Sequence, residues 1–171
     1  MNDYDEYRRK KMESAMMFQD FVVDVSWNML GLAIVQYSSK QYQYAVGESK
    51  TGCEIKFDMK YEKTGNLYIE TGEKAEPREG DYFPSGIYRE DNTWLYIIGN
   101  YERIFYCPKN ILQILHKTGK YRQVENDTKT SIGFLVPEKR MWKFSATVAE
   151  PKSAADGVQQ VARSGAQGIN R

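Results

Sequence analysis

The clearest hydrophobic period in the chain runs from about residue 13 to residue 33. Apolar side chains recur there at steps of three and four residues, at Phe18, Phe21, Val22, Val25, Met29 and Leu32. Asp20, Asp24 and Asn28 line another face of the same helical wheel. This spacing predicts one long amphipathic helix. We expect Ser14 to cap its start and Gly31 to weaken its end.

The next part of the chain has the two-residue period of β-strands. Short strands are predicted at 33–37 and 42–46, and a longer one follows in the segment GCEIKFDMKY. One side of that segment carries Cys53, Ile55, Phe57 and Met59, and the other carries Glu54, Lys56, Asp58 and Lys60. A turn at 63–66 leads into a strand at 67–70. We therefore predict a hairpin of these two strands, with Ile55 and Phe57 facing the core.

The second half of the chain completes an α+β pattern. Glycines and prolines among many charges predict a long exposed loop at 71–92. Strands are predicted at 93–98, 102–107 and 132–136, with a helix that begins at Pro108. This order predicts an α+β fold with a mixed sheet. The predicted divisions are a flexible N-terminal arm at 1–12, a domain at 13–145 and a disordered tail at 146–171, where aromatic residues are nearly absent.

Composition narrows the possible chemistry. A chain of 171 residues suits one domain, and its net charge of +1 provides no overall field that would attract nucleic acid. Two cysteines and one histidine exclude a cysteine-rich zinc site and a histidine-pair metal site. No secretory signal is visible, and the most apolar stretch contains Asp20 and Asp24, which disfavours a membrane span. A cytoplasmic location without membrane contact is predicted.

The charged side of the GCEIKFDMKY strand is the candidate site. Alternate residues on a strand share one face, so Glu54, Lys56 and Asp58 form a row with neighbours about 6 to 7 Å apart. Carboxylates suit a hard cation such as Mg²⁺, and a lysine between them can orient or help deprotonate an attacking water. The alternative interpretation is a solvent-facing strand whose charges form weak cross-strand pairs.

The same residues carry a family resemblance. GCEIK preceded by Glu48, within GESKTGCEIKFD…TGNLYIE, resembles the D/E…(D/E)-x-K core of the PD-(D/E)XK nuclease superfamily, and also small phage- and bacteria-encoded proteins near restriction endonucleases. The resemblance covers roughly residues 18–118 and implies a restriction-endonuclease-like αβββαβ core. Glu48 and Glu54 match the acids and Lys56 the lysine, although Glu48 replaces the usual Asp and its gap is short. A second alignment uses Asp58, Glu70 and Lys74.

The resemblance implies a metal-dependent nuclease that hydrolyses DNA. Its catalytic residues would be Glu48, Glu54 and Lys56, and its ligands for Mg²⁺ or Mn²⁺ would be Glu48, Glu54, Asp58 and Glu70. Lys40, Lys60 and Tyr42 are the candidate contacts to nucleic acid. The sequence does not decide between DNA and RNA, nor whether the chain forms a homodimer. The rival hypothesis is a non-catalytic accessory protein on the same fold, binding nucleic acid or a phage or host protein.

Overall fold

The computed structural model describes residues 3–74 and 80–149 of the chain. The helices are α1 (Asp3–Leu30), α2 (Lys40–Ala45), α3 (Tyr61–Thr64), α4 (Lys109–Lys117) and α5 (Glu138–Met141), and a 3₁₀ turn spans Gly86–Tyr88. The strands are β1 (Cys53–Phe57), β2 (Asn66–Glu73), β3 (Phe83–Pro84), β4 (Leu95–Gly99), β5 (Arg103–Pro108), β6 (Gln123–Glu125), β7 (Ser131–Pro137) and β8 (Ala146–Ala149). The predicted α+β class is confirmed.

The strands of the described ranges form two four-stranded sheets. The mixed sheet has the order β1-β4-β5-β8, in which β1 runs parallel to β4 and the other neighbours are antiparallel. The second sheet has the order β3-β2-β7-β6 and is antiparallel throughout. The mixed sheet was predicted, but the hairpin of β1 with β2 is wrong, because these strands lie in different sheets. The restriction-endonuclease-like core stays a prediction.

The mixed sheet is covered on both faces. On one face, Phe18 and Val22 of α1 pack with Ile55 and Ile97. On the other face, a second hydrophobic cluster joins β4 and β5 of the mixed sheet to β2 and β7 of the antiparallel sheet, and also includes α4. All five residues of β4 are buried as a result. The architecture is therefore three layers, with α1, the mixed sheet and the antiparallel sheet in that order.

Helix α1 is longer than the periodicity predicts. It begins at Asp3, so most of the segment predicted as a flexible arm is helical. Ser14 lies inside the helix rather than at its cap, and its hydroxyl donates to the Lys10 carbonyl at 2.9 Å. The end is as predicted: Gly31 has a φ of 63°, and its N–H donates to the Trp27 carbonyl.

Four other predictions need correction. Residues 33–37 form no strand, only an isolated bridge between Gln36 and Ser49. The strand predicted at 42–46 is wrong, because residues 40–45 form α2. The Ser39 hydroxyl accepts a hydrogen bond from the Tyr42 N–H and caps this helix, and the cap outweighs the strand preference of tyrosine. Within the predicted exposed loop, Ile87 is fully buried. The predicted tail begins in β8, and its remainder at 150–171 lies outside the described residues. None of the helices described combines the length and hydrophobicity required to cross a membrane.

Candidate functional site between the two sheets

Strand β1 places Glu54 and Lys56 between the two sheets. In the parallel register with β4, Glu54 lies beside Tyr96 and Lys56 beside Ile98, and both β4 side chains belong to the intersheet core. Ile55 faces the core, as predicted, on the side that α1 covers. The opposite side of β1 is also covered, because Glu54 is only 2% exposed. The interpretation of these charges as a solvent-facing row therefore fails for Glu54.

Glu54 and Lys56 form an ion pair that uses only one of the two carboxylate oxygens of Glu54. Lys56 Nζ lies 2.9 Å from Glu54 Oε1. Glu54 Oε2 is buried and has no hydrogen-bond partner among the described residues. A buried acceptor without a partner loses the hydration it would have in water, which costs free energy of folding. This oxygen is therefore a position where a ligand would relieve an unsatisfied group.

The electrostatics of the pair determine the protonation state of Lys56. Burial alone would lower the Lys56 pKa, but the negative charges of Glu54 and Glu70 outweigh it and hold that pKa well above its ordinary value. Burial, followed by the charge of Glu54, raises the pKa of Tyr96 well above its ordinary value. At neutral pH the site thus contains an ammonium group and a neutral phenol. Lys56 is a hydrogen-bond donor here rather than a base.

Glu70, on the antiparallel sheet, interacts electrostatically with Lys56 and Tyr96. It lies at a register irregularity of β2, and its Oε1 accepts a hydrogen bond from Ser85 Oγ at 2.8 Å. The turn after Ser85 approaches β2 closely at Gly86, where an added Cβ would meet the Glu70 carbonyl oxygen at 2.4 Å. Glu54, Lys56, Glu70 and Tyr96, which interact electrostatically, are called the intersheet cluster below.

Asp58, predicted as a further metal ligand, has a connecting role in the structure. Its Oδ1 accepts from the N–H groups of Lys60 and Tyr61, both at 3.0 Å. Its Oδ2 accepts from the Tyr68 N–H at 2.9 Å. Burial raises the pKa of Asp58, against the effect of these hydrogen bonds. Because both oxygens are used by backbone donors, Asp58 ties the end of β1 to α3 and β2 and does not join the cluster.

Glu48, predicted as the first acid of the motif, lies on the other side of β1. Its carboxylate pairs with Arg89 at 3.2 Å. It also lines a small cavity with Cys53 and Ile55, whose side chains face α1. Within residues 3–74 and 80–149, no group of three or more His, Cys, Asp or Glu side chains could hold a metal ion. The structure therefore does not assemble the four predicted carboxylates into one site.

The remaining predicted residues lie on several elements outside the intersheet cluster. Lys60 forms an exposed ion pair with Asp127. Tyr42 is 59% exposed and stacks on Tyr37, and Lys40 begins α2. Lys74, the lysine of the second alignment, lies over the Tyr82 ring at 4.3 Å from its centre. None of these contacts links them to the intersheet cluster.

Sequence reasoning missed Tyr96 and Ser85 as members or supports of the site. In the sequence, Tyr96 is one apolar residue of a buried strand. Only its position beside Glu54 in the parallel register of β1 and β4 shows that it belongs to the site. Ser85 lies in a segment predicted as exposed loop.

Comparison with protein-family models, with curated proteins and with solved structures finds no match for this chain. The resemblance to PD-(D/E)XK nucleases therefore stays a prediction.

Proposed function

We propose that this chain is a Mg²⁺-dependent nuclease that hydrolyses DNA phosphodiester bonds at the intersheet cluster. The observation that supports the proposal is the state of Glu54. One of its oxygens is paired with Lys56, and the other is buried without a partner in the described part of the chain. A buried unpaired carboxylate oxygen in a native protein calls for an explanation, and ligand binding is one.

On this proposal, the protein and its substrate would hold the metal ion together. Glu54 and Glu70 would supply two carboxylates, one from each sheet. Mg²⁺ is commonly bound by one or two carboxylates, with water and substrate phosphate oxygens in its other positions, and Mn²⁺ accepts the same oxygen ligands. Glu48 and Asp58 are absent from this revised set, because Glu48 pairs with Arg89 on the other side of β1 and both oxygens of Asp58 accept backbone hydrogen bonds.

Lys56 has the position and charge to act on the substrate. Its side chain is 36% exposed, whereas that of Glu54 is 2% exposed, so the cluster opens to solvent at the lysine. A phosphate would approach from that side. When bound, the metal would lower the pKa of a water and offset negative charge on the phosphate. Lys56, kept protonated by Glu54 and Glu70, would donate a hydrogen bond to a phosphate oxygen or orient the attacking water.

Cleavage assays on plasmid DNA, branched DNA and RNA with Mg²⁺ or Mn²⁺ test the proposal. The wild type should cleave DNA, and Glu54→Gln and Lys56→Met should each lose about 10²- to 10⁴-fold in rate. Glu62→Gln and Lys63→Met make the same chemical changes at exposed positions of α3 and should cleave like the wild type. A wild type that cleaves none of these substrates, or cluster variants that cleave at its rate, would refute the proposal.

A second candidate is the non-catalytic accessory protein. One observation favours it: the described ranges bring no three metal-ligating side chains together. The Glu54–Lys56 pair would then be structural. Titration of labelled DNA duplexes with Mg²⁺, with cleavage measured on the same samples, separates the two candidates. The accessory protein would bind the DNA without cleaving it, or would bind a protein partner instead of DNA.

A further inference from the structure

Helix α1 carries a second apolar face that points away from the domain. Phe18 and Val22 are fully buried against the mixed sheet. On the outer side, Met16, Trp27 and Leu30 are 58%, 62% and 45% exposed. With half-buried Val23, these residues follow steps of seven, four and three, so they form one row along the helix. This is called the apolar row.

A row of acids runs directly beside the apolar row. Glu13, Asp20 and Asp24 are exposed and follow steps of seven and four. From residue 13 to residue 30 the helix contains these three acids and no lysine, arginine or histidine. Glu13 also forms an exposed ion pair with Arg9, one turn earlier in the helix, at 3.9 Å. Asp20 and Asp24 place two further negative charges beside the apolar row.

From these two rows we infer that the outer face of α1 is a docking surface for a basic amphipathic helix of another protein. Exposed apolar rows with a polar rim are typical of interaction sites, and methionine and tryptophan are enriched in them. A helix whose apolar side covers Met16, Val23 and Trp27 would bring a basic flank to Asp20 and Asp24. Charge complementarity thus determines the chemistry of the partner. An antiparallel pair of two full α1 helices would place Asp20 opposite Glu13 and Asp24 opposite Arg9, so a second copy is treated as a separate outcome of the test.

The probe that tests this inference is a fluorescein-labelled peptide of about 18 residues, made of leucine and lysine at helical spacing to match the length of the face. Fluorescence anisotropy with the full chain should show saturable binding that weakens as salt is raised from about 0.1 to 1 M. A peptide with glutamate at every lysine position should not bind.

Variants locate the binding to this face. Trp27→Ala and Met16→Ser should each weaken binding by about tenfold or more, and neither opens the core because both side chains are exposed. Asp20→Asn combined with Asp24→Asn should weaken binding and reduce its salt dependence. Ile114→Ala on α4, which also removes an exposed apolar side chain, should bind the peptide like the wild type.

Several results would overturn the inference. These are no binding of the leucine–lysine peptide, equal binding of the glutamate peptide, and unchanged binding by Trp27→Ala and Met16→Ser. A further one is a dimer in light scattering that dissociates in Trp27→Ala, since a second copy would then occupy the face.

Discussion

Lys56 Nζ lies 2.9 Å from Glu54 Oε1, yet the lysine side chain is 36% exposed and the glutamate only 2%. The two residues are two positions apart on one strand, so the backbone itself holds their side chains on one face. The glutamate faces the intersheet core and the lysine extends toward its edge. The pair thus brings a negative charge into the core and neutralises it from the solvent side.

Removing the lysine alone should be more harmful than removing both charges. Lys56→Met leaves a buried carboxylate without its counter-charge, and should lower the free energy of unfolding by about 1 to 3 kcal/mol, a range reduced because the lysine is partly hydrated. Glu54→Gln combined with Lys56→Met should recover most of that loss. Urea denaturation of the wild type, both single variants and the double variant measures the coupling. Additive losses in the double variant would contradict the ion pair.

Strict alternation around Ile55 predicts that Glu54 and Lys56 share a face, and they do. It also suggests that the charged face of the strand is exposed to solvent, which is wrong for Glu54. A second sheet covers that face, and its strands are brought there by long-range pairing of β2 with β7, which local periodicity does not encode.

For the fold as well, the sequence predicts most of the elements but misses the start of α1 and the whole of α2. The length of the apolar period predicts α1 and its end at Gly31, and the apolar runs predict β1, β4, β5 and β7. The start of α1 was missed because residues 3–12 lack an apolar face, and α2 was missed because tyrosines favour strands while Ser39 caps a helix. Asp58 fits the metal motif by type and spacing, and only its three backbone donors reveal a different role.

Asp58→Asn tests that connecting role. An asparagine can still accept hydrogen bonds from the N–H groups of Lys60 and Tyr61, but its amide nitrogen cannot accept one from the Tyr68 N–H. Leaving that donor unpaired should cost about 1 to 3 kcal/mol of unfolding free energy. Any rise in melting temperature caused by Mg²⁺ or Mn²⁺ should persist in Asp58→Asn and be lost in Glu54→Gln. Loss of the metal effect in Asp58→Asn, measured by differential scanning fluorimetry, would restore Asp58 as a ligand.

Asp91 and Lys109 should make the stability of the domain sensitive to acid. Their side chains are 2% and 9% exposed, and Asp91 Oδ1 lies 2.9 Å from Lys109 Nζ. Burial opposes ionisation of Asp91, but hydrogen bonds from Lys109 and Thr93 outweigh it and lower the Asp91 pKa. A lowered pKa contributes stability above the unfolded-state value of about 3.9, and that contribution is lost as the pH falls through the folded-state pKa.

Asp91→Asn should therefore lose about 3 kcal/mol of unfolding free energy at pH 7, because Lys109 stays buried without its counter-charge, although its Nζ still donates to the Arg89 carbonyl at 2.6 Å. The gap between wild type and variant should narrow as the pH falls below the unfolded-state pKa of about 3.9. Urea denaturation at several pH values measures both. Asp127→Asn is the matched control, since Asp127 and Lys60 form an ion pair with side chains 79% and 64% exposed, and it should change stability by less than about 1 kcal/mol. A gap that is constant with pH would exclude titration of Asp91 as its cause.

Gly86 determines how closely the turn at Ser85 approaches Glu70, so Gly86→Ala should affect both stability and the candidate site. Gly86 has a φ of 52°, and an added Cβ would lie 2.4 Å from the Glu70 carbonyl oxygen. Gly119→Ala is the matched control, because Gly119 has a φ of 65° and no heavy atom within 4 Å of an added Cβ. The control should lose only about 1 to 2 kcal/mol of unfolding free energy, which is the cost of a left-handed backbone conformation at a residue with a Cβ. Gly86→Ala should lose about 1 to 3 kcal/mol more, because the turn must move away from β2.

That movement would also separate Ser85 Oγ from Glu70 Oε1 and release the carboxylate from its position in the cluster. At a temperature where both variants are folded, Gly86→Ala should reduce metal-dependent cleavage, whereas Gly119→Ala should not. Thermal unfolding and cleavage measured on the same preparations test both parts. Equal stability losses in the two variants would mean that the turn adapts without moving β2, and unchanged cleavage in Gly86→Ala would remove Glu70 from the proposed site.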